Sequence, residues 1–152
     1  MRRLSFVFGL LLFSLGCSSS PKESGENESY AIKVEPSSVV ITVVPEKGSF
    51  SAYTIELSFN SSVVEVDSVE SGEFPGNPVW NKNLAEKGRI ILAGFHTAPE
   101  MAQGPQTVAV VKFKPSSFGI TEISARILSL YDSDLKPIGG SVKLSAETLT
   151  VR

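Results

Sequence analysis

Tyr53-Thr54-Ile55-Glu56-Leu57-Ser58-Phe59 is the stretch whose reading decides the fold. Successive side chains of an extended chain point to opposite sides, so Tyr53, Ile55, Leu57 and Phe59 share one side while Thr54, Glu56 and Ser58 share the other. Such a strand has one dry face and one wet face. Further along, Thr121, Ile123, Ala125 and Ile127 alternate in the same way with Glu122, Ser124 and Arg126, which predicts a second half-buried strand over 121–127 as a candidate neighbour of the first. Residues 90–92 and 108–111 are apolar at consecutive positions, the pattern of strands covered more deeply. Segments 31–35, 39–44, 63–68, 79–83 and 142–151 bring the set to about nine strands, and no stretch carries the period of a long amphipathic helix. Turn-forming residues fall between the runs, at Lys47-Gly48, Asn60-Ser61-Ser62, Pro75-Gly76-Asn77-Pro78, Lys87-Gly88, Gly104-Pro105 and Gly139-Gly140. Strands punctuated at this spacing predict an all-β, antiparallel β-sandwich, with residues 72–78 crossing from one sheet to the other. A closed barrel is the alternative, but it calls for more regular up-and-down hairpins.

The chain has 152 residues, enough for one ordinary domain, placed here at 30–152. Ahead of it, Arg2 and Arg3 precede an apolar run over 4–15, too short to cross a hydrocarbon core that needs about 20 residues. Residues 1–16 therefore read as a signal peptide. The run ends at Ser14-Leu15-Gly16-Cys17, which resembles the lipobox of bacterial lipoproteins, although Ser14 stands where leucine is usual. That resemblance implies lipid on Cys17, a membrane partner through the lipid, and a place in the bacterial cell envelope. Residues 17–29, rich in Ser, Glu and Gly, cannot bury enough apolar surface to offset their ordering entropy and are expected to act as a tether.

Several function classes are disfavoured at once. Losing residues 1–16 removes Arg2 and Arg3 and leaves 12 basic against 16 acidic residues, so no electrostatic reason to bind nucleic acid remains. Cys17 is the only cysteine and His96 the only histidine, which excludes an internal disulfide and a structural zinc site. Catalysis needs a nucleophile with a base, paired carboxylates in a cleft, or a metal, and the sequence offers none of these convincingly. His96 is expected in a loop. Asp132-Ser133-Asp134 places oxygen ligands at alternate positions but lacks the glycine and terminal glutamate of a calcium loop, so a polar turn is expected. Trp80, the only tryptophan, is expected to close one end of the core; with Phe74 or Phe95 it is also the candidate for stacking on a sugar ring.

The order of short motifs resembles a cohesin module. Residues 50–66, FSAYTIELSFNSSVVEV, look like its third and fourth strands, and Val69-Glu70-Ser71-Gly72 like the segment that follows. Gly88-Arg89-Ile90-Ile91-Leu92-Ala93 is similar to the sixth strand and Val108-Ala109-Val110-Val111-Lys112-Phe113 to the seventh. Gly119-Ile120-Thr121-Glu122-Ile123, with Asp132-Ser133-Asp134, is similar to the eighth strand and its exit turn. The resemblance implies a nine-stranded jelly-roll sandwich, related to carbohydrate-binding sandwiches, that holds dockerin modules of other exported proteins and needs no cofactor of its own. It further implies a binding face made by strands three, five, six and eight, with an asparagine and an aspartate on strand three. Ala52 and Thr54 occupy those two positions here, so the implied partner-binding surface is Ala52, Thr54, Glu56, Ser58, Glu122, Ser124 and Arg126, flatter and less acidic than usual. A polysaccharide ligand at Trp80 and an accessory role in a secretion or pilus machine are the rival expectations.

Overall fold

Among the described residues, eleven strands and one 3₁₀ helix form: β1 (Val34–Glu35), β2 (Ser38–Pro45), β3 (Ala52–Ser58), β4 (Val64–Ser71), β5 (Val79–Trp80), the 3₁₀ helix (Lys82–Lys87), β6 (Arg89–Phe95), β7 (Gln106–Pro115), β8 (Gly119–Glu122), β9 (Ser124–Tyr131), β10 (Gly140–Leu144) and β11 (Thr148–Val151). They come from a computed structural model that describes residues 31–97 and 103–152. All pairings are antiparallel, in three sheets of order β10-β2-β7-β4, β5-β6-β3-β9 and β1-β11-β8. The segment after β4 carries the chain from the first sheet to the second, as the turn residues of 72–78 predict.

One core lies between the two four-stranded sheets. Val39, Ile41 and Val43 of β2 and Val111 and Phe113 of β7 belong to the same buried cluster as Ile55 and Leu57 of β3 and Ile90 and Leu92 of β6. Each such side chain taken fully out of water contributes about 1.5–3 kcal/mol. Phe59 meets Phe113 edge-on at 5.5 Å. Further along, Tyr53 packs edge-on against Phe50 and Phe74, whose own rings stack 5.1 Å apart. Burial pushes the Tyr53 phenol up to about 12, and its hydroxyl donates to the Val108 carbonyl at 3.4 Å. Gly94 makes room for this ring: a Cβ there would lie 2.6 Å from Tyr53 Cε1.

The strand count exceeds the nine expected because two predicted strands each divide. Residues 121–127 break at Ile123, whose N–H donates to the Glu147 carbonyl at 2.8 Å. Glu122 leaves with β8 to pair with Thr148 of β11, whereas Ser124 opens β9 opposite Ser58. Residues 142–151 break after β10, where Ser145 donates its N–H to the Val40 carbonyl and takes the Val40 N–H on Oγ. The predicted strand 79–83 stops at Trp80, because Asn81 caps the 3₁₀ helix by accepting the Asn83 N–H at 3.0 Å. That helix closes on Gly88, which adopts a φ of 72° favourable to glycine and donates its N–H to Ala85.

A candidate docking face on the sheet of β5, β6, β3 and β9

Of the strands to which the cohesin resemblance assigns binding, the third, fifth and sixth correspond to β3, β5 and β6 of one sheet; residues 119–123, expected to form the eighth, lie mostly in β8 of the three-stranded sheet, and it is β9 that flanks β3. Because Tyr53, Ile55 and Leu57 are buried, their alternates Ala52, Thr54, Glu56 and Ser58 line its outer side. Register then fixes their neighbours. Ala52 lies between Phe95 and Tyr131, Thr54 between Ala93 and Ser129, Glu56 between Ile91 and Arg126, and Ser58 between Arg89 and Ser124. Val79 pairs with Ala93 and extends the outer row onto β5. A register shift in β9 leaves Leu128 without a partner on β3, an extra residue of the kind that bends a strand and re-aims its side chains.

The two ends of this face differ chemically. At the Ala52 end the surface is apolar and open: Phe95 is 72% exposed, Val79 70% and Leu128 45%, around the small side chains of Ala52 and Ala93. At the Glu56 end the surface is charged. Glu56 is 8% exposed, and its carboxylate is gripped from both sides. Arg126 donates Nε to Oε1 at 2.9 Å and brings Nη2 within 2.8 Å of the same oxygen, while Arg89 donates Nη1 to Oε2 at 3.3 Å. Each carboxylate oxygen therefore has its own guanidinium, which offsets the cost of burying the charge. The arginines stay open to solvent, with side-chain exposures of 46% for Arg89 and 69% for Arg126.

Of the residues expected on the face, Ala52, Thr54, Glu56, Ser58, Ser124 and Arg126 lie together on it. Glu122 does not: β8 belongs to the three-stranded sheet. It reaches only the rim, where it shares a shallow groove with Ser58, Ser124 and Lys87. Sequence reasoning missed Arg89, Phe95, Val79 and Leu128 as face residues. Alternation along the sixth strand, applied outward from its buried Ile90 and Leu92, is the signal that would have found Arg89 and Phe95.

Trp80 is elsewhere. It pairs with the buried Leu92, packs against the core, and lines a groove of about 400 Å³ at the sandwich edge with Glu65, Asp67, Lys82 and Glu86. Lys82 Nζ stands over its ring, 5.5 Å from the centroid. Neither suggested aromatic companion joins it, because Phe74 is buried against Phe50 and Phe95 projects from the outer face. His96 is half-buried, its ring edge-on to Phe74 at 4.8 Å. Asp132 closes a turn, accepting the N–H groups of Asp134 and Lys136 on Oδ1 at 2.9 Å each. Cys17 and the residues expected to form a signal peptide and a tether, 1–29, lie outside the described residues.

With the face in place, the family can be stated. The Cohesin domain profile matches residues 24–149, and the chain belongs to that family. Solved structures with a similar fold include a non-cellulosomal cohesin from the hyperthermophilic archaeon Archaeoglobus fulgidus, at 16% identity and a TM-score of 0.54 over 69% of this chain and 76% of that one. A type II cohesin domain from the cellulosome of Acetivibrio cellulolyticus is similar at 17% identity and a TM-score of 0.53, covering 73% and 91%. A cohesin in a type I cohesin–dockerin complex from Clostridium thermocellum is similar at 14% identity and a TM-score of 0.50, covering 60% and 71%. At these identities the likeness is one of fold. No curated protein matches the sequence.

Proposed function

We propose that this chain is a non-catalytic docking module of the bacterial cell envelope, held there by lipid on Cys17, that binds another exported protein through the outer side of β5-β6-β3-β9. The observation that carries this reading is the exposure of Phe95, Val79 and Leu128 on one outer sheet surface, where Phe95 and Val79 pair with the small Ala52 and Ala93. Contiguous apolar surface rimmed by polar groups is a feature of protein interaction sites. Membership of the cohesin family supports a protein partner, and the complex from Clostridium thermocellum supports one of dockerin type. Ala52 offers no side-chain hydrogen bond and Thr54 only a hydroxyl, so a dockerin bound here would lean on apolar contact more than on polar readout of strand three.

A pull-down from envelope extract with the mature chain tests the reading. Wild type is expected to retain an exported protein whose recovery is changed by Thr54→Asp, which restores the carboxylate the resemblance implies on strand three, and lost with Glu56→Arg; equal recovery by all three would remove the proposed face. Metabolic labelling with a fatty acid tests the anchor, which requires label in wild type and none in Cys17→Ser. Binding of a polysaccharide that is abolished by Trp80→Ala and indifferent to Thr54→Asp would instead favour the sugar reading.

A further inference from the structure

We infer that the partner docked on this face is acidic where it meets Arg89 and Arg126: an apolar segment with a carboxylate placed to complete the arginine pair that Glu56 only half satisfies. The inference rests on the docking reading above and specifies its partner. Glu56 is the one carboxylate among the outward residues of β3, β6 and β9, and both of its oxygens are already taken. Roofed by both arginines and only 8% exposed, it presents little acceptor surface to an incoming cation. The arginines are in the opposite situation. A guanidinium carries five donors. Arg126 uses Nε and Nη2, and Arg89 uses Nη1, on Glu56, which leaves donors on both guanidinium groups, and the two side chains are 69% and 46% exposed.

Arg89 and Arg126 stand over Glu56, one adjoining groove adds Lys87 and Glu122, a second beside Ser124 adds Lys143 and Glu147, and a third beside Ile91 adds Lys82, so five cations face three carboxylates, one of them buried. This end of the face is thus locally positive on a chain whose formal net charge is -2. Opposite potentials across an interface steer encounter and set register, and like charges suppress wrong partners. The apolar end supplies the second constraint. Ala52 and Glu56 are four residues apart on β3, about 13 Å at the rise of a strand. A helical partner that covers both ends would need its acidic group about eight or nine residues from the apolar side chains that meet Phe95 and Val79.

The test uses the full mature chain and two helical peptides that share one leucine-rich face. One peptide carries two glutamates about nine residues from the leucines and the other carries two lysines there. Fluorescence anisotropy at low salt is expected to show the acidic peptide binding at least about tenfold more tightly, a margin that shrinks as salt screens the charges. Glu56→Gln, which removes the internal competitor and keeps the shape, should widen the margin. Arg89→Glu with Arg126→Glu, placed in the Glu56→Gln background so that no buried carboxylate opposes them, should invert it. Thermal melts confirm that each variant is folded before its binding is read. Equal binding of the two peptides by wild type, or a preference that survives the double reversal, overturns the inference; if Phe95→Asp still abolishes binding, the docking face stands without it. Binding of neither peptide, or binding indifferent to Phe95→Asp, removes the face and the inference together.

Discussion

The inner and outer sides of β3 respond to different rules, although they are interleaved in the same seven residues. On the inner side Tyr53, Ile55 and Leu57 are fixed by what surrounds them, and any change of volume is felt by the core. On the outer side Ala52, Thr54 and Ser58 touch mainly their cross-strand neighbours and solvent, so their identity is open to choice by a partner. Glu56 is the exception, because it is outward yet as buried as a core residue, roofed by two arginines. The difference teaches that stability and binding are separable on this strand, and that Glu56 is where they meet.

The largest expected effect comes from breaking the inner side. Leu57→Ala should lower unfolding free energy by about 2–5 kcal/mol in urea melts. A loss below about 1 kcal/mol would mean that the two sheets do not clamp this residue. Next, alkaline conditions should single out Tyr53. Above pH 10.0 the unfolded phenol ionises while the buried one holds its proton to about 12, so the unfolded chain binds fewer protons and stability falls as pH rises through that window. The loss approaches about 2–3 kcal/mol. Tyr53→Phe should not show it, and parallel pH series for the two proteins give the comparison. Gly94→Ala should cost about 1–3 kcal/mol, since its new methyl group meets the Tyr53 ring, and thermal melts measure it.

The smallest stability effect belongs to the outer side. Arg126→Ala should change unfolding free energy by less than about 1 kcal/mol, because Arg126 is mostly exposed and Arg89 continues to hold Glu56. Its effect on binding should nonetheless be clear. A variant as stable as wild type that loses the acidic preference sharpens the contrast between the two sides of β3; a large stability loss would blur it.

The inner side was legible in the sequence because burial is written as alternation, and the residues that alternate at 53–59 are the ones that pack. The divisions at Ile123 and Ser145 were not. Alternation through Thr121, Ile123, Ala125 and Ile127 is unbroken, and the switch between sheets is made by long-range bonds, Ile123 to Glu147 and Ser145 to Val40. No local pattern records such bonds. Glu122 was placed on the face for this reason and belongs to its rim. The end of β5 at Trp80 had a readable sign, since asparagine at 81 is a good cap for the turn that follows. The arginine clamp needed both register and distance. Arg89 and Arg126 are 37 positions apart in sequence and converge on Glu56 only because β6 and β9 flank β3.

The central claim is that the outer side of β5-β6-β3-β9 is where this chain meets its partner. A photo-crosslinking residue introduced at Phe95 on that side, and separately at Lys112 on the opposite sheet, tests it in cells that make the protein. The account predicts one discrete crosslinked product containing an exported protein from position 95 and none from position 112. Crosslinking from position 112 alone, or equally from both, would contradict it.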